Sequence, residues 1–134
     1  MKFDGTMPRS KVVVDTDLLL EHVAGTAGGP SRLRRLMAQA FCYTTVFNAV
    51  EAFGLCMTER ERRAVEETMS AMKILGLNAK HGKAIGALTA RRGRAADLPL
   101  LIAGLCRESR LPLVTGRPER FRGLRGLEVI RVRD

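Results

Sequence analysis

The stretch Val12-Val13-Val14-Asp15-Thr16-Asp17 constrains this chain more than any other. Three consecutive β-branched residues favour a short strand. A continuous apolar run, as opposed to an alternating one, is the pattern of a strand covered on both faces. The run stops at a carboxylate. Open α/β sheets bind ligands in the crevice outside the carboxyl ends of their strands. Placing the strand therefore places Asp15 at a candidate site. The plainer role of Asp15 or Asp17 is to cap the next helix by accepting backbone N–H bonds. The choice between these roles depends on which other acids the fold brings near.

The rest of the chain alternates helical and strand patterns. A strand is expected over 11–14 and a helix from there to 23; three glycines and a proline make 24–30 a loop. Ser31 can cap a helix over 32–39 with Leu33, Leu36 and Met37 inward. A second strand over 40–43 leads through Thr44 or Thr45 into a helix over 46–55, where Phe47, Val50 and Gly54 recur with Glu51 on the inward side. Thr58-Glu59-Arg60-Glu61 is a capping box, opening a helix to about 72 with Val65, Met69 and Met72 as its apolar stripe. A third strand over 73–77 precedes a helix over 79–92, on which His81 is a surface or flanking histidine. Asp97 stands in the first turn of a helix whose Leu98, Leu101, Ile102 and Leu105 face inward. Strands over 111–115 and 127–132 close the chain, the last alternating as an edge strand does. This order implies a mainly parallel sheet with helices on both faces. The expected organisation is one domain over 1–134, with 1–10 a lead-in or the start of the first strand.

Composition narrows the chemistry. The chain has 23 Lys plus Arg against 14 Asp plus Glu, a formal charge of +9. That excess favours a polyanionic partner, and eight arginines fall in 107–134. Three cysteines without a CxxC pair, and two histidines, give no disulfide framework and no structural zinc site. No GxxxxGK[ST] loop occurs, which leaves a P-loop nucleotide hydrolase unsupported. No secretory signal or membrane span is read in the sequence, and the expected location is the cytoplasm. What remains is a basic chain with a few acids in apolar surroundings. Glu51 on an inward helix face needs a partner, a metal or a raised pKa, and its plainer role is a pairing with one of the many arginines. Several carboxylates at one point repel unless a cation neutralises them, and hard cations such as Mg²⁺ or Mn²⁺ take oxygen ligands. Such a site can activate water against a phosphodiester.

Four motifs in order resemble the PIN domain, most closely the VapC-like toxins of type II toxin–antitoxin systems. The first is Val12-Val13-Val14-Asp15-Thr16-Asp17, and the second Thr44-Thr45-Val46-Phe47-Asn48-Ala49-Val50-Glu51 followed by Gly54. The third is the helix start at Asp97 and Leu98, with Leu101-Ile102-Ala103 one residue further along than the commonest form. The fourth is Leu113-Val114-Thr115 and the loop to Phe121, followed by the stretch to Val129. The resemblance spans the chain from about Lys11. It implies a three-layer α/β/α sandwich and an Mg²⁺- or Mn²⁺-dependent endoribonuclease acting as a toxin. It also implies a cognate antitoxin and a homodimer. Asp15, Glu51 and Asp97 are then the catalytic, metal-binding acids, with Thr16, Asp17 and Thr115 around them. Arg91, Arg92, Arg94, Arg117 and Arg120 are the expected RNA contacts. Arg117 stands where the family usually has an acidic or amide residue, and an arginine cannot ligate metal. It is expected to hold a phosphate or to pair with one of the acids. The alternative is a non-catalytic or weakly active nucleic-acid-binding or regulatory module on the same fold.

Overall fold

The structure is a computed structural model that describes residues 10–25, 28–92 and 96–133. Its centre is β1 (Ser10–Val14). On one side β1 pairs with β2 (Ala40–Thr45), which pairs with β3 (Lys73–Leu75). On the other side it pairs with β4 (Leu113–Thr115), which pairs with β5 (Val129–Arg131). Every pairing is parallel, in the order β3-β2-β1-β4-β5. The α/β expectation holds: this is a five-stranded, wholly parallel sheet with helices on both faces.

The valine run explains why β1 is central. Val12 and Val14 belong to one core with Leu18, Leu19, Leu33, Leu36 and Val65, while Val13 belongs to a second core with Ile102, Cys106 and Leu113. All three valines are fully buried. The first core is supplied by α1 (Thr16–Ala24), α2 (Arg32–Met37), α3 (Val46–Leu55) and α4 (Glu59–Ser70). The second is supplied chiefly by α6 (Leu98–Ser109). The preceding α5 (Ala79–Arg92) packs on α6.

Several boundaries differ from expectation. β2 runs on through Thr44 and Thr45, both fully buried; Thr44 donates its hydroxyl to the Val14 carbonyl at 3.0 Å, which keeps the strand in the sheet to its end. β4 starts at Leu113 and not at 111, since Pro112 has no N–H to give a ladder. The Pro112 carbonyl still accepts from Val13 at 2.8 Å. β3 and β5 are also shorter than expected. Ser10 is already in β1, and the rest of the expected lead-in lies outside the described residues. Val50 is 60% exposed, against its expected inward position, because the buried residues of α3 are Asn48 and Ala52. No helix among the described residues is long and apolar enough to cross a membrane.

The sheet's strand order reverses between β1 and β4. The first half of the chain builds outward from β1 through β2 and β3, and the second half builds outward through β4 and β5. The crevice at such a switch point lies between the carboxyl ends of the two strands. Asp15 follows β1 and Thr115 ends β4, so both stand at its mouth.

The α5–α6 contact depends on a glycine. A Cβ on Gly104 would stand 2.8 Å from Ile85 Cγ1, and Ile85 is itself buried. Gly104→Val is expected to destabilise the fold by about 1–3 kcal/mol through overpacking. Urea unfolding followed by circular dichroism measures this. An unchanged midpoint would contradict the packing described.

Candidate functional site

Asp15 leaves β1 with its backbone N–H donating to the Val114 carbonyl at 3.0 Å, so β4 fixes where it stands. It is the N-cap of α1, and its side chain is fully buried. Oδ1 accepts from the Thr16 N–H at 2.8 Å, from Asn48 Nδ2 at 3.1 Å and from Arg120 Nη1 at 3.0 Å. Oδ2 accepts the Thr115 hydroxyl at 2.8 Å. The expected helix-cap role is thus filled, and the same carboxylate also gathers side chains from α3, from β4 and from the turn after β4.

Asn48 explains the precision of this arrangement. Thr45 is the N-cap of α3, and its hydroxyl accepts the Asn48 N–H at 3.1 Å. Asn48 Oδ1 accepts in return from the Thr45 N–H, which completes a capping box. That leaves Nδ2 free to reach Asp15 Oδ1 and Thr16 Oγ1, the latter at 2.9 Å. One fully buried amide therefore caps α3 and orients the acid of β1. Thr115 plays a matching part from β4. Its hydroxyl has one proton, given to Asp15, and its oxygen accepts the Arg117 N–H at 3.0 Å.

Glu51 lies one turn beyond Phe47 on α3 and is largely buried, 18% exposed. Its Oε2 accepts from Arg120 Nη2, while its Oε1 is buried with no hydrogen-bond partner. Arg120 therefore bridges the two acids, one guanidinium nitrogen to each. It comes from a 3-10 turn over Pro118–Phe121, is 12% exposed, and has its Cζ 5.5 Å from the centre of the Phe121 ring. Arg117, expected to pair with an acid or a phosphate, is exposed; the pairing with the acids is made by Arg120.

The electrostatics follow. Burial raises the Asp15 pKa above the ordinary carboxylate value; the Arg120 charge, the Thr16 N–H and the Thr115 hydroxyl oppose this without cancelling it. Burial also works against the charge on Arg120. The hydrogen bond to Glu51 and the charges of Asp15, Glu51 and Asp17 outweigh burial and leave its pKa raised. Cys106, packed below, has its thiol pKa pushed up by burial and then by the charge of Asp15.

Asp17 is tied to the next strand end. Its Oδ2 accepts the Gly116 N–H at 2.9 Å and its Oδ1 the Leu18 N–H at 2.9 Å. A Cβ on Gly116 would stand 2.8 Å from Asp17 Oδ2 and 3.0 Å from Arg32 Nη1, so a side chain there would push on the ends of both. Arg32 is held in turn by Glu21 at 2.6 Å.

Asp97 caps α6, accepting the Leu100 N–H at 3.0 Å, and is exposed. Among the described residues, no three His, Cys, Asp or Glu side chains stand together as a metal-holding group. Asp15 and Glu51 are brought together, through Arg120, and Asp97 is not gathered with them. Arg91 is exposed near the end of α5; the side chain of Arg92 and all of Arg94 lie outside the described residues. His81 Nδ1 accepts the Asn78 N–H at 3.4 Å and the His81 N–H reaches Asn78 Oδ1, the flanking role expected of it.

The sequence reading missed two features. Asn48 could have been found from its position three residues after the Thr45 cap and three before Glu51. The bridging role of Arg120 leaves no local signal, because its partners lie 105 and 69 residues away.

Solved structures share this arrangement of elements. VapBC2 from Rickettsia felis, bound to a DNA fragment from its promoter, matches with a TM-score of 0.70 over 90% of this chain and 98% of that chain, at 16% identity. This is the PIN-like fold. DNA-bound VapBC from Salmonella typhimurium matches with a TM-score of 0.69 over 93% and 98%, at 18% identity. VapBC-1 from nontypeable Haemophilus influenzae matches with a TM-score of 0.68 over 90% and 97%, also at 18% identity. At these identities the likeness is one of fold, and a fold does not by itself carry an activity. No protein-family model matches the chain, and no curated protein matches it by sequence.

Asn48→Ala is expected to cost about 1–3 kcal/mol, since it leaves the buried Thr45 N–H without its acceptor and removes one of the bonds that orient Asp15. Chemical unfolding measures this, and a neutral result would contradict the role given to Asn48. The Glu21–Arg32 pair has a pH signature. The hydrogen bond from Arg32 holds the Glu21 pKa below its ordinary value of 4.5. Its contribution to stability is therefore present above that pH and lost as pH falls through the depressed folded value. Glu21→Gln is expected to lower stability at pH 7, with the gap to wild type closing in strong acid. A gap independent of pH would contradict this.

Proposed function

We propose that the chain is a metal-dependent endoribonuclease that hydrolyses RNA phosphodiester bonds and acts as the toxin of a toxin–antitoxin pair. The observation that carries this reading is the buried Asp15–Glu51 pair at the switch point, with Glu51 Oε1 left without a partner. Two acids facing one guanidinium, with an acceptor oxygen to spare, fit a hard divalent cation such as Mg²⁺ or Mn²⁺. Bound there, the cation would neutralise the acids, activate water and stabilise charge on the phosphodiester.

Asp15 and Glu51 would hold the cation, with Asp97 the third acid that the family resemblance implies. The chain's own hydrogen bonds do the positioning. Thr16, Asn48 and Thr115 fix the plane of the Asp15 carboxylate, the service that outer residues give to a ligating acid. Asp17 fixes the Gly116 turn that carries Arg117 and Arg120 away from β4. Exposed Arg91 and Arg117, in a chain of charge +9, are suited to the phosphate backbone of the substrate. The RNA substrate, the antitoxin partner and the homodimer rest on the family resemblance. The solved structures of similar fold, described as VapBC complexes, support an antitoxin partner.

One observation favours a second reading. Arg120 already neutralises the acid pair, as it would in a non-catalytic or weakly active nucleic-acid-binding module on the same fold. An RNA cleavage assay with Mg²⁺ or Mn²⁺, with and without EDTA, separates the two. Cleavage that EDTA abolishes, and that Asp15→Asn lowers on the order of 100-fold or more with RNA binding retained, is expected. RNA binding without cleavage in any of these conditions would establish the second reading instead.

A further inference from the structure

We propose that Arg120 is the resident counter-cation of the Asp15–Glu51 pair, and that a divalent cation enters only by displacing its guanidinium. Arg120 then sets how tightly the chain takes metal. This rests on the proposal that the acid pair is a cation site.

Three observations carry it. The first is charge. Asp15 and Glu51 bring two negative charges into a place shielded from water, and Arg120 returns one positive charge. Asp17 adds a third negative charge at the rim, felt by both Asp15 and Arg120. The acids therefore accommodate a doubly charged cation better than a singly charged one.

The second is acceptor capacity. Asp15 Oδ1 accepts from the Thr16 N–H, Asn48 Nδ2 and Arg120 Nη1, so its lone pairs are fully engaged. A hard cation of the Mg²⁺ type needs oxygen lone pairs at about 2.0–2.1 Å. One of the three donors has to leave before Oδ1 can ligate. The Thr16 N–H is backbone at the start of α1, and Asn48 is locked into the α3 capping box and fully buried. Arg120 is the donor carried on a long, flexible side chain. Its departure frees Asp15 Oδ1 and Glu51 Oε2 together, beside the partnerless Oε1.

The third is an exit. Arg120 belongs to the short turn over Pro118–Phe121, with Glu119 and Arg122 on either side of the local chain exposed to solvent. Phe121 stays buried in the second core and anchors the turn. The guanidinium can thus swing into water while the backbone remains in place. Its contact with the Phe121 ring is the remaining tie.

Calorimetric titration of the full chain with Mn²⁺ alone tests this. Arg120→Gln is expected to bind Mn²⁺ at least about tenfold more tightly than wild type, a gain of roughly 1.4 kcal/mol. Arg62→Gln, at an exposed arginine of α4 paired with Glu59, is expected to leave the affinity unchanged. Asp15→Asn is expected to abolish binding. Wild type and Arg120→Gln binding equally, or the variant more weakly, would overturn displacement while leaving the cation site standing. If neither binds, or Asp15→Asn binds as wild type does, the cation site itself fails and this inference with it.

Should Arg120→Gln not fold, the wild-type chain still decides. Nitrogen-15 NMR of the arginine Nε–H groups, with the Arg120 signal assigned by its loss in Arg120→Lys, follows the side chain during Mg²⁺ titration. Displacement moves that signal to the position and fast solvent exchange of an exposed arginine. A saturable Mg²⁺ response elsewhere, with the Arg120 signal unmoved, overturns it. No response anywhere overturns the cation site as well.

Discussion

A fully buried carboxylate at the end of the central strand has to be neutralised from within the chain, and much of the architecture serves that requirement. Asp15 draws a backbone N–H from α1, an amide from α3, a hydroxyl from β4 and a guanidinium from the turn after β4. Those elements reach it because β1 lies in the middle of a parallel sheet, with β2 on one side and β4 on the other. Removing one partner of such a buried pair typically costs about 3–5 kcal/mol, because it strands the other charge. The candidate site is thus built into the fold, and its residues carry stability.

The same packing accounts for the order of the layers. A valine on either face of β1 feeds each of two cores, so helices have to cover both sides of the sheet. Glycines then set the closest approaches. Gly104 lets α5 lie against α6, and Gly116, just past the end of β4, donates its backbone N–H to Asp17. The first is a packing device. The second stands at the start of the turn from which Arg120 reaches the acids.

The fold was largely legible in the sequence because its signals are local: an apolar run for β1, capping residues at Ser31, Thr45 and Thr58, and apolar stripes at helical spacing. Where local pattern misled, tertiary contacts decided. Val50 matched an inward spacing, yet α3 turns Asn48 and Ala52 to the interior because Asn48 has a buried acid to serve. Asp15 and Glu51 were legible as acids next to apolar residues, and the fold places them on one guanidinium. The identity of that guanidinium was not legible, since Arg117 and Arg120 share a loop and only the 3-10 turn selects between them. Asp97, expected in the first turn of α6, is instead its N-cap and bonds the Leu100 N–H.

The central claim is that the Asp15–Glu51 pair is a cation site held shut by an arginine. Crystals soaked in Mn²⁺ and measured at the manganese absorption edge test it most directly. The expected result is an anomalous peak between the two carboxylates, with the Arg120 side chain turned out toward solvent. The absence of a peak there, with Arg120 still bridging both acids at saturating Mn²⁺, would contradict the account.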